Sequence, residues 1–269
     1  MYRAIATDLD GTLLRSDLSV SARTRRAFDA AEDAGLLVVL ATGRPPRWIP
    51  PVIDQIGRRG LVVCANGASV YDPARDELIA RTDLSAEVAA GLVADLRAVF
   101  PDAVFSVEQG MDFGIDVAIR DLRPEFARKL PDATIAPIES FLDEPVTKLI
   151  CRLPRSADLT LPEQVQAVVG DRGLVTHSTE PSFLEISHPA VHKAVTVERL
   201  LEASGLAAGD VVAFGDMPND IELLRWAGLG VAMGNASPSV REVADEVTET
   251  NDEDGVAVVV ERILTDGTG

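Results

Sequence analysis

Short apolar runs alternate with amphipathic helical stretches along the first part of the chain. Residues 2–7, 36–42 and 61–67 are rich in apolar and β-branched side chains, as strands covered on both faces are. Between the first two runs, Ser21 precedes a helical stretch over 22–34 and has the side chain of an N-cap. Strands and helices in strict alternation predict a parallel sheet flanked by helices.

The pattern changes in the middle of the chain. A helix is predicted to begin at Ser85, and residues 113–119 alternate apolar with polar side chains, as strands with one solvated face do. Such a mixture favours a separate α+β unit. Its other predicted elements are strands at 103–108, at 146–153 and in the runs GLVTHST and FLEIS, and helices near 123–130 and 161–169.

After residue 187 the first pattern returns. We therefore predict an α/β fold with a Rossmann-like, three-layer core and a parallel sheet, built from residues 1–82 and 187–269, with an α+β cap domain inserted at 83–186. The acidic run DEVTETNDEDG at 245–255 is predicted to be a solvated loop. The late elements are helices near 191–204, 219–227 and 254–265, and strands at 210–216 and 229–235.

Charge and composition narrow the classes of function. The chain has 269 residues, 46% of them hydrophobic, and a net charge of −18. Such an excess of carboxylates opposes binding to nucleic acid or to an anionic membrane. Cys64 and Cys151 lie in separate apolar runs and read as buried core thiols rather than a disulfide or a zinc site. No apolar stretch approaches the ~20 residues that span a bilayer, and with no signal peptide we expect a cytoplasmic protein.

Polar side chains follow four of the predicted core strands at equivalent positions. Because ligands of open parallel sheets bind beyond the carboxyl ends of the strands, we expect these side chains to share one rim. The residues at these four positions are Asp8 and Asp10; Thr42, Gly43 and Arg44; Asn66 and Gly67; and Gly215, Asp216, Asn219 and Asp220.

The carboxylates at this rim predict a metal site. Asp8, Asp10 and Asp216 would repel one another unless a cation lay between them. Oxygen ligands with no nearby Cys or His indicate a hard ion, and Mg²⁺ fits best because it combines one or two carboxylates with water and a phosphate oxygen. A carboxylate beside a bound phosphate can also attack phosphorus.

Four motifs resemble those of the haloacid dehalogenase superfamily of aspartate-nucleophile phosphohydrolases. They are DLDGTLL at 8–14, ATGR at 41–44, Lys193 within HKAV, and GDMPNDIELL at 215–224. The runs CANGASVYD, GVAMGNA and VTETNDEDGVA are similar to features of its Cof-type branch, whose large cap is inserted after the third core strand. The resemblance implies an Mg²⁺-dependent phosphoric monoester hydrolase.

The resemblance also implies residue roles. Asp8 would be the nucleophile and Asp10 the general acid and base, while Lys193 would neutralise charge on Asp8 and on the phosphate. Thr42 and Gly43 would bind the phosphoryl oxygens. The metal would be held by Asp8, the Asp10 carbonyl and Asp216, with Asn219 and Asp220 completing or orienting the shell.

Some assignments stay open at this point. Arg44 is as consistent with a substrate contact as with an acidic partner, and Asn66-Gly67 with a tight turn as with a substrate contact. Taken alone, Lys193 would be a lysine on a helix surface.

The leading function is hydrolysis of a small phosphorylated metabolite, such as a sugar phosphate, with no obligate protein partner inferred. Two alternatives share the fold: a phosphomutase and a phosphatase dedicated to one sugar phosphate. A phospho-aspartate signalling module is the non-enzymatic alternative, and Asp10 disfavours it because a general base would hydrolyse the phosphoaspartate.

Overall fold

A computed structural model describes residues 2–57, 59–119, 133–153, 158–177 and 182–266. Contacts divide the chain into two units. The first comprises Met1–Arg44, Trp48–Ile79 and His192–Gly269, and the second comprises Pro45–Arg47 and Ala80–Val191. The helix predicted near 123–130 falls outside the described residues.

In chain order, the strands and helices are β1 (Ala4–Thr7), α1 (Ala22–Asp33), β2 (Leu37–Ala41), α2 (Pro50–Ile56), β3 (Leu61–Cys64), β4 (Ser69–Asp72), β5 (Glu77–Arg81), α3 (Ala86–Val99), β6 (Val104–Gln109), β7 (Asp112–Asp116), β8 (Thr134–Ala136), β9 (Lys148–Arg152), α4 (Leu161–Val169), β10 (Leu174–His177), β11 (Phe183–Ser187), α5 (Lys193–Glu202), β12 (Val211–Gly215), α6 (Ile221–Trp226), β13 (Leu229–Ala232), α7 (Pro238–Arg241), β14 (Glu246–Val247) and α8 (Gly255–Asp266).

The first unit is built on one sheet with the strand order β14-β13-β12-β1-β2-β3-β4-β5. The neighbours from β14 to β3 pair in parallel, which confirms the predicted α/β class. Ser21 caps α1 as expected, since its hydroxyl oxygen accepts a hydrogen bond from the Thr24 amide at 2.9 Å. The helix then buries Ala27, Phe28 and Ala31 in the core.

The sheet departs from the expectation after its third core strand. Strand β3 ends at Cys64 instead of running to residue 67, because Ala65 and Asn66 have φ of 51° and 58° and turn the chain back. The following β4 pairs antiparallel with β3. Short runs such as SVYD carry too weak a pattern to predict this extension of the parallel sheet.

The acidic run at 245–255 is not simply a solvated loop, which corrects the expectation. Glu246 and Val247 pair in parallel with β13 as the edge strand β14. Asn251 is only 8% exposed. Because acidic residues flank both the strand and Asn251, the sequence pattern does not reveal either feature.

The second unit has its own sheet, with the order β10-β11-β9-β6-β7-β8. One face packs with α3 and α4 around Phe105, Leu149 and Leu184. The expectation of a solvated second face is wrong in part, because Glu108 and Lys148 are buried there. Lys148 Nζ lies 2.8 Å from a Glu185 carboxylate oxygen, so this buried ammonium is paired.

Cys64 and Cys151 are buried thiols in separate strands, as predicted. Burial raises the pKa of the Cys151 thiol to about 12, so it stays protonated at neutral pH. Within the described ranges, no helix has both the length and the apolar character needed to cross a bilayer.

Candidate active site

The predicted rim lies at the carboxyl ends of the central strands of the first unit. Strands β1 and β12 are parallel neighbours, with Thr7 level with Phe214. The next polar side chains on these strands, Asp8 and Asp216, therefore leave the same edge of the sheet. Both are buried.

The ends of β2 and β3 meet at the same edge through backbone hydrogen bonds. The Thr42 amide donates to the Val63 carbonyl at 2.8 Å, and the Asn66 amide donates to the Thr42 carbonyl at 3.0 Å. The Asn219 side-chain amide in turn donates to Asn66 Oδ1 at 2.9 Å. The segments after β2, β3 and β12 thus form one connected polar rim.

Two glycines allow the carboxylates to come close to the backbone. Gly11 has φ of +77°, and a Cβ there would lie 2.3 Å from an Asp216 carboxylate oxygen. A Cβ at Gly215 would lie 2.4 Å from the Cβ of Asp220. Any larger side chain at either position would displace a carboxylate.

Lys193 is the cation at the centre of the site. Its Nζ lies 2.6 Å from Asp8 Oδ1 and 2.7 Å from Asp220 Oδ1. The residue opens α5 and is only 2% exposed, so the interpretation as a lysine on a helix surface is wrong. Burial alone lowers the pKa of Lys193, but Asp220 and Asp8 outweigh burial and raise it above its usual value.

Asp220 is held by donors on both oxygens. One oxygen accepts from Lys193, and the other accepts from the amides of Asp216 and Met217, each at 3.1 Å. This carboxylate therefore orients Lys193 and the start of the loop after β12.

Burial controls the protonation of the other two carboxylates. It raises the pKa of Asp8 to about 8, with Lys193 acting in the opposite direction. It also raises the pKa of Asp216 to about 6, against a hydrogen bond from Thr12 that lowers it. Among the described residues, Asp8, Asp216 and Asp220 offer ligand oxygens that all lie within 4.8 Å of one another, an arrangement suited to a hard cation.

Asp10 occupies a different environment from Asp8. Its side chain is 49% exposed and forms a two-point ion pair with Arg44, with distances of 2.7 Å from Nε to Oδ2 and 2.5 Å from Nη2 to Oδ1. Of the two alternatives for Arg44, this geometry favours the acidic partner. The Asp10 carboxylate does not belong to the cluster formed by the other aspartates.

The remaining candidates have structural partners at the rim. The Thr42 hydroxyl accepts from the Arg44 amide at 3.1 Å. Gly67 has φ of +111°, and a Cβ there would lie 2.5 Å from the His192 carbonyl oxygen. Its missing side chain thus lets the turn pack against the start of α5. Gly43 lies beside the Asn66 side chain.

Sequence reasoning missed Thr12. Its buried hydroxyl donates to Asp216 Oδ1 at 2.8 Å and so links the loop after β1 to the loop after β12. The residue stands inside the DLDGTLL run, and that position was the available signal.

Comparison with known proteins places this arrangement in context. The profile of a haloacid dehalogenase-like hydrolase family matches residues 5–260. The chain is 31% identical to the phosphoglycolate phosphatase of Methanothermobacter thermautotrophicus, over 97% of this chain and 99% of that protein. It is 30% identical to the 5-amino-6-(5-phospho-D-ribitylamino)uracil phosphatase YitU of Bacillus subtilis, over 94% of each.

A solved structure of the same family has a similar fold. A haloacid dehalogenase-like hydrolase from Bacteroides thetaiotaomicron is 30% identical and superposes with a TM-score of 0.80, covering 98% of this chain and 100% of that one.

Replacing Lys193 tests its role as the buried counter-ion. We expect Lys193→Ala to lower the free energy of unfolding by ~3–5 kcal/mol, because Asp8 and Asp220 lose their shared partner in a buried position. Urea unfolding at pH 7.5 measures the change. The exposed pair of Arg23 and Glu261 supplies the control, since Arg23→Ala should cost less than ~1 kcal/mol. Equal effects of the two variants would contradict the assignment.

The raised pKa of Asp216 predicts a pH-dependent effect of Asp216→Asn. In chelator, the wild-type protein loses stability as pH rises from the ordinary value near 3.8 through the folded value of about 6, because the unfolded chain ionises more easily. The variant lacks this loss, so its stability relative to wild type should rise by about 2–3 kcal/mol between pH 4 and pH 7.

Asp252→Asn is the control, because its effect on stability should have the opposite sign. Hydrogen bonds from Ser16 lower the pKa of exposed Asp252, so this variant should lose stability relative to wild type only as pH rises toward the ordinary value near 3.8, with a constant difference at higher pH. Urea unfolding across the pH range measures both variants. A constant difference between Asp216→Asn and wild type would rule out burial as the control on Asp216.

Proposed function

Because the chain belongs to the family of haloacid dehalogenase-like hydrolases, we propose that it hydrolyses small phosphorylated metabolites with Mg²⁺ through an aspartyl phosphate. The family match confirms the resemblance that the four motifs showed. It also confirms the class of enzyme, a hydrolase of phosphate esters. The observation that carries the mechanism is the buried ammonium of Lys193 between Asp8 and Asp220, with Asp216 beside them.

The donor set fits magnesium. Oxygen ligands on Asp8 and Asp216, together with the Asp10 carbonyl, suit a small hard cation that keeps part of its water shell. Asp220 would orient these ligands from behind, because donors already occupy both of its oxygens. When bound, the cation supplies positive charge that keeps Asp8 ionised and draws a phosphoryl oxygen to the site.

Asp8 is the proposed nucleophile. Its carboxylate attacks phosphorus, a phosphorus–oxygen bond forms to Asp8, and the bond to the ester oxygen breaks. Lys193 donates to the same carboxylate at 2.6 Å and balances the charge that collects there. A water molecule then attacks phosphorus, releases inorganic phosphate and restores Asp8.

Asp10 carries the proton in both steps. It protonates the departing alcohol, and it takes a proton from the water that attacks the aspartyl phosphate. Exposure of about half of its side chain supports a role that requires exchange with substrate and solvent. Arg44 holds the carboxylate at two points and fixes its direction.

The phosphoryl oxygens need donors from the rim. We assign this task to the Thr42 hydroxyl and the Gly43 amide, with Asn66 and Asn219 as further polar contacts. The hydrogen bond between Asn219 and Asn66 holds the two amides together. Such preorganised donors stabilise the transition state without reorganisation at the moment of reaction.

The names of the similar phosphatases bear on the class of substrate. The two phosphatases named above are similarly identical to this chain, but their names give different substrates. One is a small phosphorylated acid, and the other is a phosphorylated ribityl compound. Phosphomonoesters of sugars and related alcohols are therefore the class that we propose for this protein.

A screen of phosphorylated metabolites tests the reaction and its metal. We expect phosphate release with Mg²⁺, none in excess chelator, and weaker activity with Ca²⁺, which takes more ligands at longer distances. The Asp8→Asn protein, purified in parallel, controls for contaminating phosphatases. Full activity in excess chelator would exclude a metal requirement.

Separate replacements distinguish the two aspartates of the first motif. Asp8→Asn should be inactive on every substrate because no covalent intermediate can form. Asp10→Asn should still release nitrophenolate from p-nitrophenyl phosphate in a burst near one equivalent, since this leaving group needs little protonation. Slow turnover should follow, because the second step lacks its base. Rapid mixing measures the burst, and a burst from Asp8→Asn instead would reverse the two roles.

A further inference from the structure

The turn that follows the two aspartates is held by side chains from far along the sequence. Residues Gly11–Leu14 form neither helix nor strand, and two of their carbonyl groups accept hydrogen bonds from side chains far along the chain. The Gly11 carbonyl accepts from the side-chain amide of Asn235 at 2.8 Å. The Leu14 carbonyl accepts from the side-chain amide of Asn251 at 2.9 Å, in a buried position.

These two asparagines are also joined to each other. The backbone amide of Asn251 donates to Asn235 Oδ1 at 3.0 Å. Asn235 therefore accepts with its oxygen and donates with its nitrogen, and its partners fix which way the amide faces. A carboxylate of the same shape would place a second acceptor against the Gly11 carbonyl and could not perform both tasks.

The two asparagines are fixed by the edge of the sheet. The Gly234 amide donates to the Glu249 carbonyl at 3.0 Å, and the Thr248 amide donates to the Ala232 carbonyl at 2.9 Å. These bonds tie the loop after β13 to the loop after β14, so both asparagines are anchored before they reach the turn.

We propose that Asn235 and Asn251 are positioning residues for phosphoryl transfer, an inference that rests on the proposed function. They hold the turn Gly11–Leu14, and the turn sets the backbone directly after Asp10. It also carries Thr12, whose hydroxyl donates to Asp216.

The proposed role explains how the backbone next to Asp10 is held in place. The Asp10 side chain is half exposed and is held by Arg44. The turn after it is held on one side by the amides of Thr12, Leu13 and Leu14, which donate to the carbonyls of Leu9 and Asp8, and on the other side by the two asparagines. A reacting group displaced by about 1 Å can lose about 100-fold in rate. A clamp on the adjoining peptide is therefore a substantial contribution to geometry.

Asn235→Ala is the cleanest test because Asn235 is exposed and its loss should spare the fold. With glycerol 2-phosphate, whose alcohol needs a proton from Asp10, we expect kcat to fall about tenfold with little change in KM. With p-nitrophenyl phosphate the fall should be about threefold or less. Asn251→Ala, assayed where it remains folded by thermal melting, should show the same order of substrates.

Ser16→Ala is the matched control. The Ser16 hydroxyl donates to Asp252 at 2.7 Å and joins the same two stretches of chain, and none of its hydrogen bonds within the described residues goes to Gly11–Leu14. We expect both substrates to be turned over at the wild-type rate by this variant.

Hydrogen exchange measured by mass spectrometry gives a readout independent of activity. Peptides covering residues 9–14 should exchange faster in Asn235→Ala than in wild type or Ser16→Ala, at an unchanged melting temperature. Equal losses on the two substrates, or wild-type rates with wild-type exchange, would overturn the proposal. Absence of turnover in the wild-type protein would count against the proposed function alone, and the exchange data would still decide the role of the asparagines.

Discussion

The site depends on the enclosure of one ammonium group among carboxylates. Lys193 is buried, and its two short ion pairs join Asp8, at the end of the first strand, to Asp220, beyond the strand β12. Removing a charge from water costs several kcal/mol unless partners compensate for it. The fold meets this cost with backbone amides on Asp220 and a hydroxyl on Asp216, so the charges are held by bonds rather than by solvent.

Much of this arrangement follows from the sequence through the geometry of parallel sheets. Asp8 and Asp216 end neighbouring strands, so their convergence could be predicted without any three-dimensional information. Ser21 and the helix it caps were predictable in the same way, because the capping chemistry is local. The strand pattern was enough to place Asp8 and Asp216 at one rim, but it did not show that Asp220 rather than Asp10 completes the buried cluster.

Other features could not be predicted from the local pattern alone, because they depend on distant partners. A lysine at the start of a helix has the local pattern of a surface residue, and only Asp8 and Asp220 explain its burial. Arg44 stands two residues after Thr42, yet its ion pair is with Asp10, on another strand end. The acidic stretch around Asn251 reads as solvated, although the amide side chain is buried against the Leu14 carbonyl.

The charge balance of the site explains why the proposed reaction would need a cation. The chain carries a net charge of −18, and the buried cluster sets the carboxylates of Asp8, Asp216 and Asp220 against the single ammonium of Lys193. A phosphate dianion approaching this cluster alone would be repelled. Burial makes two of the carboxylates hold protons more tightly than usual, and a protonated Asp8 is a poor nucleophile. A divalent cation would balance the charge, release those protons and create an attractive site for phosphate. In the proposed mechanism, a cation held by Asp8 and Asp216 would supply the positive charge that keeps Asp8 ionised and attracts the phosphate.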